Sequence, residues 1–383
     1  MGHTPTQNPA MNTGGNTTLV TARDPAGEFC NASFSDSKVT LLVVYSAVCA
    51  LGLPANCLTA CLTLLQALQG NVLAVYLFCL AFCELLYIST LPLWIIYIRN
   101  QHQWTLGLYA CRATAYIFFC NIYISILLLC CISCDRFAAV VYPLESRGHR
   151  QQKTAVLISA SITVLVALVY CQVFRMDLVN GTCFEPLSMD SRIASYHYAR
   201  FTVGFALPLC IIAFTNHRIF RSTALSQGLT AVQKAKVKHT AIAVVVIFLV
   251  CFAPYHVVLL VKAVAFSYYR GDKNAVCAFE ARMYTPSVVF LCLSTVNSVA
   301  DPIIYVLATD HSQQEVTRLH RGWKKWSTKM EDTRLTQWKD SEETQSPMAL
   351  SRSHTFPTPS TPTGPQPTEW GSLCTLEIPT EGL

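Results

Sequence analysis

A few ionisable residues interrupt long apolar stretches of the sequence, and they are the first candidates for chemistry. Glu84, Arg200 and Asp301 each stand among apolar neighbours, and Asp135 is followed directly by Arg136. A charge in apolar surroundings is costly unless it has a partner or a function. Arg200 therefore needs an anion such as a carboxylate or a phosphate, and Asp135 with Arg136 predicts a charge-assisted pair. No spacing of Ser, His, Asp or Cys indicates a catalytic or metal centre, so we expect no enzyme.

The elements that hold these residues are predicted to cross a membrane. The chain has 383 residues, of which 52% are hydrophobic and 13% charged, about half the ~25% that is usual in a soluble domain. Apolar runs of roughly 18 residues or more span the ~30 Å hydrocarbon layer as helices. Seven runs qualify and predict an all-α, seven-transmembrane helix bundle: Val39–Leu65, Val72–Ile98, Leu108–Val141, Thr154–Phe174, Tyr196–Phe220, Thr240–Phe266 and Tyr284–Leu307.

The distribution of basic residues predicts the orientation of this bundle. Lys and Arg are concentrated after the third, fifth and seventh runs, and the positive-inside rule places these segments in the cytoplasm. The N-terminus is then extracellular, in a multi-pass protein of the plasma membrane. Three N-glycosylation sequons fall on the outside, at Asn16, Asn31 and Asn180. The net charge of +6 is modest, and no basic run indicates nucleic-acid binding.

The segments before and after the seven runs are polar. Residues 1–38 predict a glycosylated extracellular tail, and residues 39–308 the transmembrane domain. Residues 309–327 have an amphipathic pattern, which predicts a short helix on the inner membrane surface. Residues 328–383 predict a disordered cytoplasmic tail, rich in Ser, Thr and Pro from Glu342 onward and therefore open to phosphorylation.

Four cysteines lie outside the apolar runs, on the predicted extracellular side: Cys30, Cys111, Cys183 and Cys277. An even number in an oxidising compartment indicates two disulfides. Cys111 opens the third run and Cys183 precedes the fifth, so a bridge between them would pin that loop across the bundle. Cys30–Cys277 would then tie the N-terminal tail to the last outer loop. The alternative is that Cys30 or Cys277 is a free thiol.

Short motifs occur in a recognisable order along the runs. They are Asn56; Leu80-Ala81-Phe82-Cys83-Glu84; Cys111 and then Asp135-Arg136-Phe137; Phe205-Ala206-Leu207-Pro208; Cys251-Phe252-Ala253-Pro254; and Asp301-Pro302-Ile303-Ile304-Tyr305. With this set the chain resembles the rhodopsin-like (class A) G-protein-coupled receptors from about Leu41 to Trp326, and among them the proton-sensing and lysolipid receptors. The resemblance implies signalling through heterotrimeric G proteins, with arrestin and receptor kinases acting at the Ser/Thr-rich tail.

The resemblance also implies an activation switch. Releasing Arg136 from Asp135 would free the guanidinium for a partner, and prolines in the runs would act as hinges. Phe252 stands where the family commonly has Trp, and Asn216 where it commonly has Tyr, so a constitutively active receptor is an open alternative. The predicted switch residues are Asp135, Arg136, Phe252, Pro254, Asp301, Pro302 and Tyr305.

A polar pocket in the middle of the bundle is implied as well, and its residues are Glu84, Ser125, Asn297 and Asp301. Family members often bind sodium there, so the one cofactor we consider is a structural sodium ion. Two carboxylates in a poorly solvated pocket repel one another, which favours protonation of one of them. Proton sensing is therefore an alternative function. We expect it to be weak or absent, because the fourth run contains no acid and only His102 and His197 lie near the outside.

Arg200 is the residue most informative about a ligand. It lies eight residues before Pro208, about two helical turns toward the outside. An anionic head on Arg200 and an alkyl tail among aromatic side chains describe an oxidised free fatty acid, a lysophospholipid or a related acyl ligand. Alternatively, Arg200 pairs with Glu185 or Asp190 and meets no ligand. The predicted wall consists of Tyr116, Phe119, Tyr123, Tyr255, His256 and Phe290.

A membrane transporter is a distant alternative to a receptor. The two halves of the sequence show no internal repeat and no short, broken apolar runs, which are features of many transporters.

Overall fold

Seven helices dominate the part of the chain that the computed structural model describes, which is residues 19–23, 29–33, 35–146, 150–175, 182–183, 189–226, 228, 230–269, 272–308 and 328. All seven are long and apolar enough to cross a membrane, as predicted. Their bounds are α1 Ser35–Leu68, α2 Val72–Arg99, α3 Leu108–Val141, α4 Gln152–Arg175, α5 Ser191–Leu225, α6 Ala231–Tyr268 and α7 Lys273–Ala308.

The predicted and observed bounds coincide for α3 and differ most at the start of α5, α6 and α7; the starts of α1 and α4 differ by four and two residues. Helices α5, α6 and α7 begin at Ser191, Ala231 and Lys273, five, nine and eleven residues before their predicted starts. Hydropathy detects only the segment within the hydrocarbon layer, whereas a capped helix continues into polar surroundings. The side chains of Asp190, Thr230 and Asp272 cap these starts, and each accepts a hydrogen bond from a backbone N–H in the first turn of its helix.

Local departures from α geometry occur in the helices that hold the candidate residues. A π-helical turn, Thr202–Ala206, interrupts α5 two residues before Pro208, and another, Phe248–Phe252, interrupts α6 two residues before Pro254. Proline lacks an N–H group and weakens the preceding turn, and π turns often mark functional sites. In α7 the regular helix is interrupted between Ser294 and Asn297.

Helix α3 is the most buried of the seven. It packs against α2, α4 and α5 and also touches α6. Large apolar side chains are fully buried along it, among them Ile126, Leu128 and Leu129, whereas α1 and α4 present many apolar side chains outward. Residues on α3 therefore connect the two ends of the bundle, which we call the outer end, at Cys111, and the inner end, at Asp135, after the predicted orientation.

Two short strands precede α1. Strands β1 Leu19–Arg23 and β2 Phe29–Ser33 form an antiparallel pair, and β2 lies against the outer part of α7. These strands were not predicted, because short polar segments carry little apolar periodicity. The all-α prediction is confirmed for the membrane-spanning part.

The predicted outer disulfide between Cys111 and Cys183 is present, with the two Cα atoms 5.8 Å apart. Cys277 is also disulfide-bonded, but the side chain of Cys30 lies outside the described part of the chain, so that pairing stays a prediction. The same holds for the side chain of Asn31. Asn16, Asn180, the amphipathic segment 309–327 and residues 329–383 also lie outside the described residues.

Candidate functional site

Arg200 is half-buried on the outer part of α5 and connects three helices. Its Nε donates a hydrogen bond to the hydroxyl of Tyr123 on α3, and its Nη2 donates to the hydroxyl of Tyr255 on α6, both at 2.8 Å. The guanidinium carbon lies 5.0, 5.6 and 5.5 Å from the ring centroids of Phe119, Tyr123 and Tyr255. These distances are within the range of cation–π attraction, so the charge is held in an aromatic box.

Arg200 has no carboxylate within ion-pair distance among the residues described above. Asp190, one of its two proposed partners, instead caps α5 by accepting a hydrogen bond from the N–H of Ile193 at 2.7 Å. The other, Glu185, lies outside the described residues. Hydroxyl oxygens and ring faces do not neutralise a guanidinium, so among the described residues the charge of Arg200 has no counter-ion.

A chain of hydrogen bonds runs from Arg200 to the backbone of α6. The Tyr123 hydroxyl lies 3.1 Å from His256 Nε2, and His256 Nδ1 lies 2.8 Å from the carbonyl oxygen of Phe252. A carbonyl only accepts, so Nδ1 carries the proton, and in the neutral ring Nε2 accepts from Tyr123. Gly204 allows this approach, because a Cβ there would lie 2.5 Å from Cε1 of Tyr123.

Aromatic rings join the π turns of α5 and α6. Phe205 stacks against Phe248 with 5.3 Å between ring centroids and against His256 with 4.9 Å, and Phe248 meets Phe252 edge-on at 5.9 Å. Phe248, Phe252 and His256 are fully buried. These rings and the Arg200 chain thus both reach the segment of α6 that precedes its proline, where the sequence predicts a hinge.

The outer cavity, of about 220 Å³, lies beside the guanidinium, and the rest of its wall is mainly apolar. Phe119 and Tyr255 line it together with Arg200, whereas Tyr123 and His256 lie behind Arg200. Among the described residues, its apolar wall includes Leu41, Trp94, Phe118, Leu259 and Leu291.

Two predicted wall residues are placed elsewhere. The Tyr116 hydroxyl donates to the carbonyl oxygen of Ala167 on α4 at 3.0 Å, and its ring packs on Phe174. Phe290 is half-buried on α7 and is not part of the cavity wall. Conversely, the wall contains an ion pair that the sequence reasoning missed, Lys262 Nζ with Glu280 Oε2 at 2.6 Å, which joins α6 to α7. A lysine within the apolar run of α6 was the available signal.

Glu84 lies fully buried in the middle of the bundle with both carboxylate oxygens satisfied. Ser125 and Asn297, the predicted neighbours, donate to Oε1 at 2.7 and 2.8 Å. Asn121 donates to Oε2 at 3.1 Å, and the Ser298 hydroxyl donates to the same oxygen. The predicted cluster is thus assembled around Glu84, with two further residues: Asn121, one turn before Ser125, and Ser298, the residue after Asn297.

Asp301, the second predicted carboxylate, differs from Glu84 in its environment. Its side chain is buried, and neither carboxylate oxygen has a hydrogen-bond partner within the described part of the chain. Oδ1 of Asn121 is buried without a partner as well. Buried oxygens without donors are expensive, which marks the place where a proton or a small cation would be stabilised.

At the inner end of α3, Asp135 is held by two arginines. Arg136 donates from Nη2 to Oδ2 at 2.7 Å, as predicted. Arg150, which begins the approach to α4, donates from Nε to Oδ1 at 2.8 Å and from Nη2 to Oδ2 at 2.9 Å. The second arginine was not predicted as a partner, because its distance along the chain gives no indication of this contact.

The remaining predicted switch residues occupy helix interiors. Pro254 follows the π turn of α6, and Pro302 lies inside α7. The Tyr305 hydroxyl accepts a hydrogen bond from Nε2 of Gln66 on α1 at 3.1 Å. Asn216, where the sequence departs from the family pattern, donates to the hydroxyl oxygen of Ser133 at 2.9 Å and so joins α5 to α3.

Comparison with known proteins relates this arrangement to a family. Residues 55–305 match the family described as "7 transmembrane receptor (rhodopsin family)". "Probable G-protein coupled receptor 132" of Mus musculus is 68% identical over 372 residues, which cover 96% of this chain and 97% of that protein. The human protein of the same description is 70% identical over 357 residues, covering 91% and 94%. Human "G-protein coupled receptor 68" is 32% identical over 302 residues, covering 77% and 80%.

Proposed function

Because the chain belongs to the rhodopsin family of seven-transmembrane receptors, we propose that its outer cavity binds a single-chain anionic lipid and that Arg200 binds the acidic group. Family membership confirms the prediction of a multi-pass plasma-membrane receptor that couples to G proteins, and not an enzyme. The candidate ligands are oxidised free fatty acids, lysophospholipids and related acyl compounds. The N-terminus faces outward in this proposal, and arrestin and receptor kinases act at the cytoplasmic tail.

One observation carries the proposal: a half-buried guanidinium faces a mainly apolar cavity, and no carboxylate of the described residues lies within ion-pair distance of it. The carboxylate in the cavity wall, that of Glu280, is paired with Lys262. A carboxylate or phosphate can accept paired hydrogen bonds from the guanidinium fork. The apolar wall then holds the acyl chain, since burial contributes about 0.8 kcal/mol per CH₂ group. A cationic lipid would fit the apolar wall but not the guanidinium, and a polar anion without an acyl chain would fit the guanidinium but not the apolar wall.

Binding an anion at Arg200 would act on α6 through Tyr123. Tyr123 and Tyr255 accept from two of the five N–H donors of the guanidinium, at Nε and Nη2, so an acidic group that binds this edge competes with both hydroxyls. Any change at Tyr123 is passed to His256 and from there to the carbonyl of Phe252 in the π turn. The inner part of α6 then moves, and Arg136 leaves Asp135 to meet the G protein.

Dose–response curves for G-protein activation test the anchor, in cells that express the full chain at equal surface level. The ligands are hydroxylated free fatty acids and lysophospholipids. We expect Arg200→Gln to raise the EC50 about 100-fold, or ~3 kcal/mol, since a buried charge would lose its partner. Arg200→Lys keeps the charge without the planar fork, so its EC50 should lie between those of the wild type and of Arg200→Gln. Exposed Arg282 on α7 gives the control, Arg282→Gln. An Arg200→Gln variant with the wild-type curve would refute the anchor.

A second candidate function is supported by Asp301. We propose that this buried carboxylate binds a proton or a sodium ion and thereby sets basal activity. The residues fit a sodium ion, because Asp301 and Asn121 offer buried oxygens without partners in the described part of the chain, and hard cations prefer oxygen ligands. A bound cation would supply positive charge to the carboxylate of Asp301 and hold α7 near α3, the helix of Asn121.

Basal signalling of Asp301→Asn tests this second function, measured at two pH values and with external sodium replaced by choline. The amide keeps the shape and removes the charge, so basal activity should change and should no longer depend on either ion. Asp272→Asn, the same substitution at the exposed start of α7, is the control. If Asp301→Asn retains the wild-type dependence on pH and sodium, Asp301 is not the site.

A further inference from the structure

A second cavity, of about 530 Å³, lies between the outer ends of α4 and α5. It shares Phe119, Ile193, His197 and Arg200 with the outer cavity. Arg200 therefore lies between two cavities: the outer cavity, whose wall is mainly apolar, and the second cavity, whose wall contains more charged residues. Together the cavities fall within the ~300–1,000 Å³ that is usual for ligand sites.

The second cavity is cationic among its described residues. Three arginines line it, Arg175 at the end of α4, Arg192 in the first turn of α5, and Arg200, against the single carboxylate of Asp190. Asp190 is already engaged, because its Oδ1 caps the N–H of Ile193. Arg192 also stands where the helix dipole disfavours a cation. The positive charge in this cavity therefore does not stabilise α5, because a cation in the first turn of a helix is unfavourable.

A further polar group on the shared wall has no partner. Nδ1 of His197 is buried without a hydrogen-bond partner within the described residues. His197 precedes Arg200 by three residues and so lies on the same face of α5. A ligand oxygen near the guanidinium would also be within reach of this ring.

The helices around the second cavity leave room for a polar headgroup. Helices α4 and α5 both pack against α3 and make little contact with one another. Among the described residues, Nε2 of Gln172 on α4 donates a hydrogen bond to the hydroxyl of Tyr196 on α5, and both residues line the cavity. Tyr170 forms the inner wall and stacks on Phe119.

We infer that the second cavity is a headgroup subsite for a phosphate-bearing, single-chain lipid. In this arrangement the acyl chain lies in the apolar outer cavity, and the phosphate lies between Arg200 and the pair Arg175 and Arg192. A phosphate offers more acceptor oxygens and more negative charge than a carboxylate and therefore uses several arginines at once. The inference rests on the proposed function and specifies which lipids the receptor distinguishes.

Two lipids with the same acyl chain test the subsite, a monoacylglycerol phosphate and the corresponding free fatty acid. G-protein activation is measured on the full chain at matched surface level. For the double variant Arg175→Gln/Arg192→Gln we expect the EC50 of the phosphate lipid to rise about tenfold and that of the fatty acid to change less than about twofold. Arg99→Gln, an exposed arginine at the outer end of α2, is the control.

The outcomes separate the subsite from the proposed function. Equal shifts for both lipids, or no shift for either, would overturn the subsite while Arg200→Gln still tests the anchor. If neither lipid activates the wild type, both proposals fail.

Discussion

The two ends of the bundle treat charge in opposite ways. At the outer end, Arg200 is a cation surrounded by hydroxyls and rings, without a carboxylate among the described residues. At the inner end, Asp135 is a carboxylate that holds two guanidinium groups, those of Arg136 and Arg150. Within the described part of the chain the outer charge lacks a counter-ion, and we propose that a ligand supplies it, whereas the inner carboxylate has two cationic partners. A receptor needs both, an unfilled site for the signal and a closed pair that can open.

The largest effect is expected from breaking the inner end. Arg136→Ala removes the guanidinium that we propose meets the G protein, so signalling should be lost at every ligand concentration. Ligand binding at the outer end should change little, because Arg136 is at the other end of α3. The measurement is G-protein activation together with lipid binding at matched surface level.

Arg218→Ala, at another basic position near the inner end of α5, serves as the control for the Arg136 experiment. An Arg136→Ala receptor that signals like the wild type would remove the functional distinction between the two ends. Loss of binding together with signalling would instead indicate a folding defect.

The difference between the two ends can also be reduced by placing a carboxylate next to Arg200. In His197→Glu the new side chain lies three residues before Arg200 on the same helix face, a spacing that permits an ion pair. The pair would occupy the guanidinium, so we expect the EC50 of an anionic lipid to rise about tenfold, or ~1.4 kcal/mol. Potency in G-protein activation is the measurement.

His197→Gln has nearly the same size as the glutamate variant without its charge, and it should stay within about threefold of the wild type. Equal potencies for the Glu and Gln variants would mean that the missing counter-ion at Arg200 is irrelevant to ligand binding.

The sequence was informative where the signal is local. Apolar length predicted the seven helices, adjacency predicted the Asp135–Arg136 pair, and a single charge in an apolar run identified Arg200. Contacts that depend on helix rotation were not predictable in the same way. Tyr116 lies within one run of apolar residues with Phe119, yet its hydroxyl reaches α4 and not the cavity. From one sequence, the apolar pattern is what predicts which face of a helix points toward a cavity. Helix α3 is apolar on nearly all sides, so its pattern does not distinguish these faces.

Hydrogen-bond partners that come from different helices were also not predictable from the sequence. Glu84 was predicted with Ser125 and Asn297, but Asn121 and Ser298 complete its hydrogen bonds. The chain from Tyr123 through His256 to Phe252 depends on a π turn and on Gly204, neither of which has a reliable sequence pattern. Arg150 was counted only as part of a basic loop, although it makes two hydrogen bonds to Asp135.

The smallest expected effect comes from Arg150. While Arg150 is present, Asp135 keeps a partner after Arg136 leaves, and a buried carboxylate is not left unpaired. In Arg150→Gln that substitute is gone, so opening the Asp135–Arg136 pair costs more and basal signalling should fall about threefold, or ~0.7 kcal/mol. Lys153→Gln, an exposed cation nearby, controls for the loss of basic charge. A rise in basal signalling would show instead that Arg150 holds the closed state, and the excess of cations at the inner end would then be a second lock.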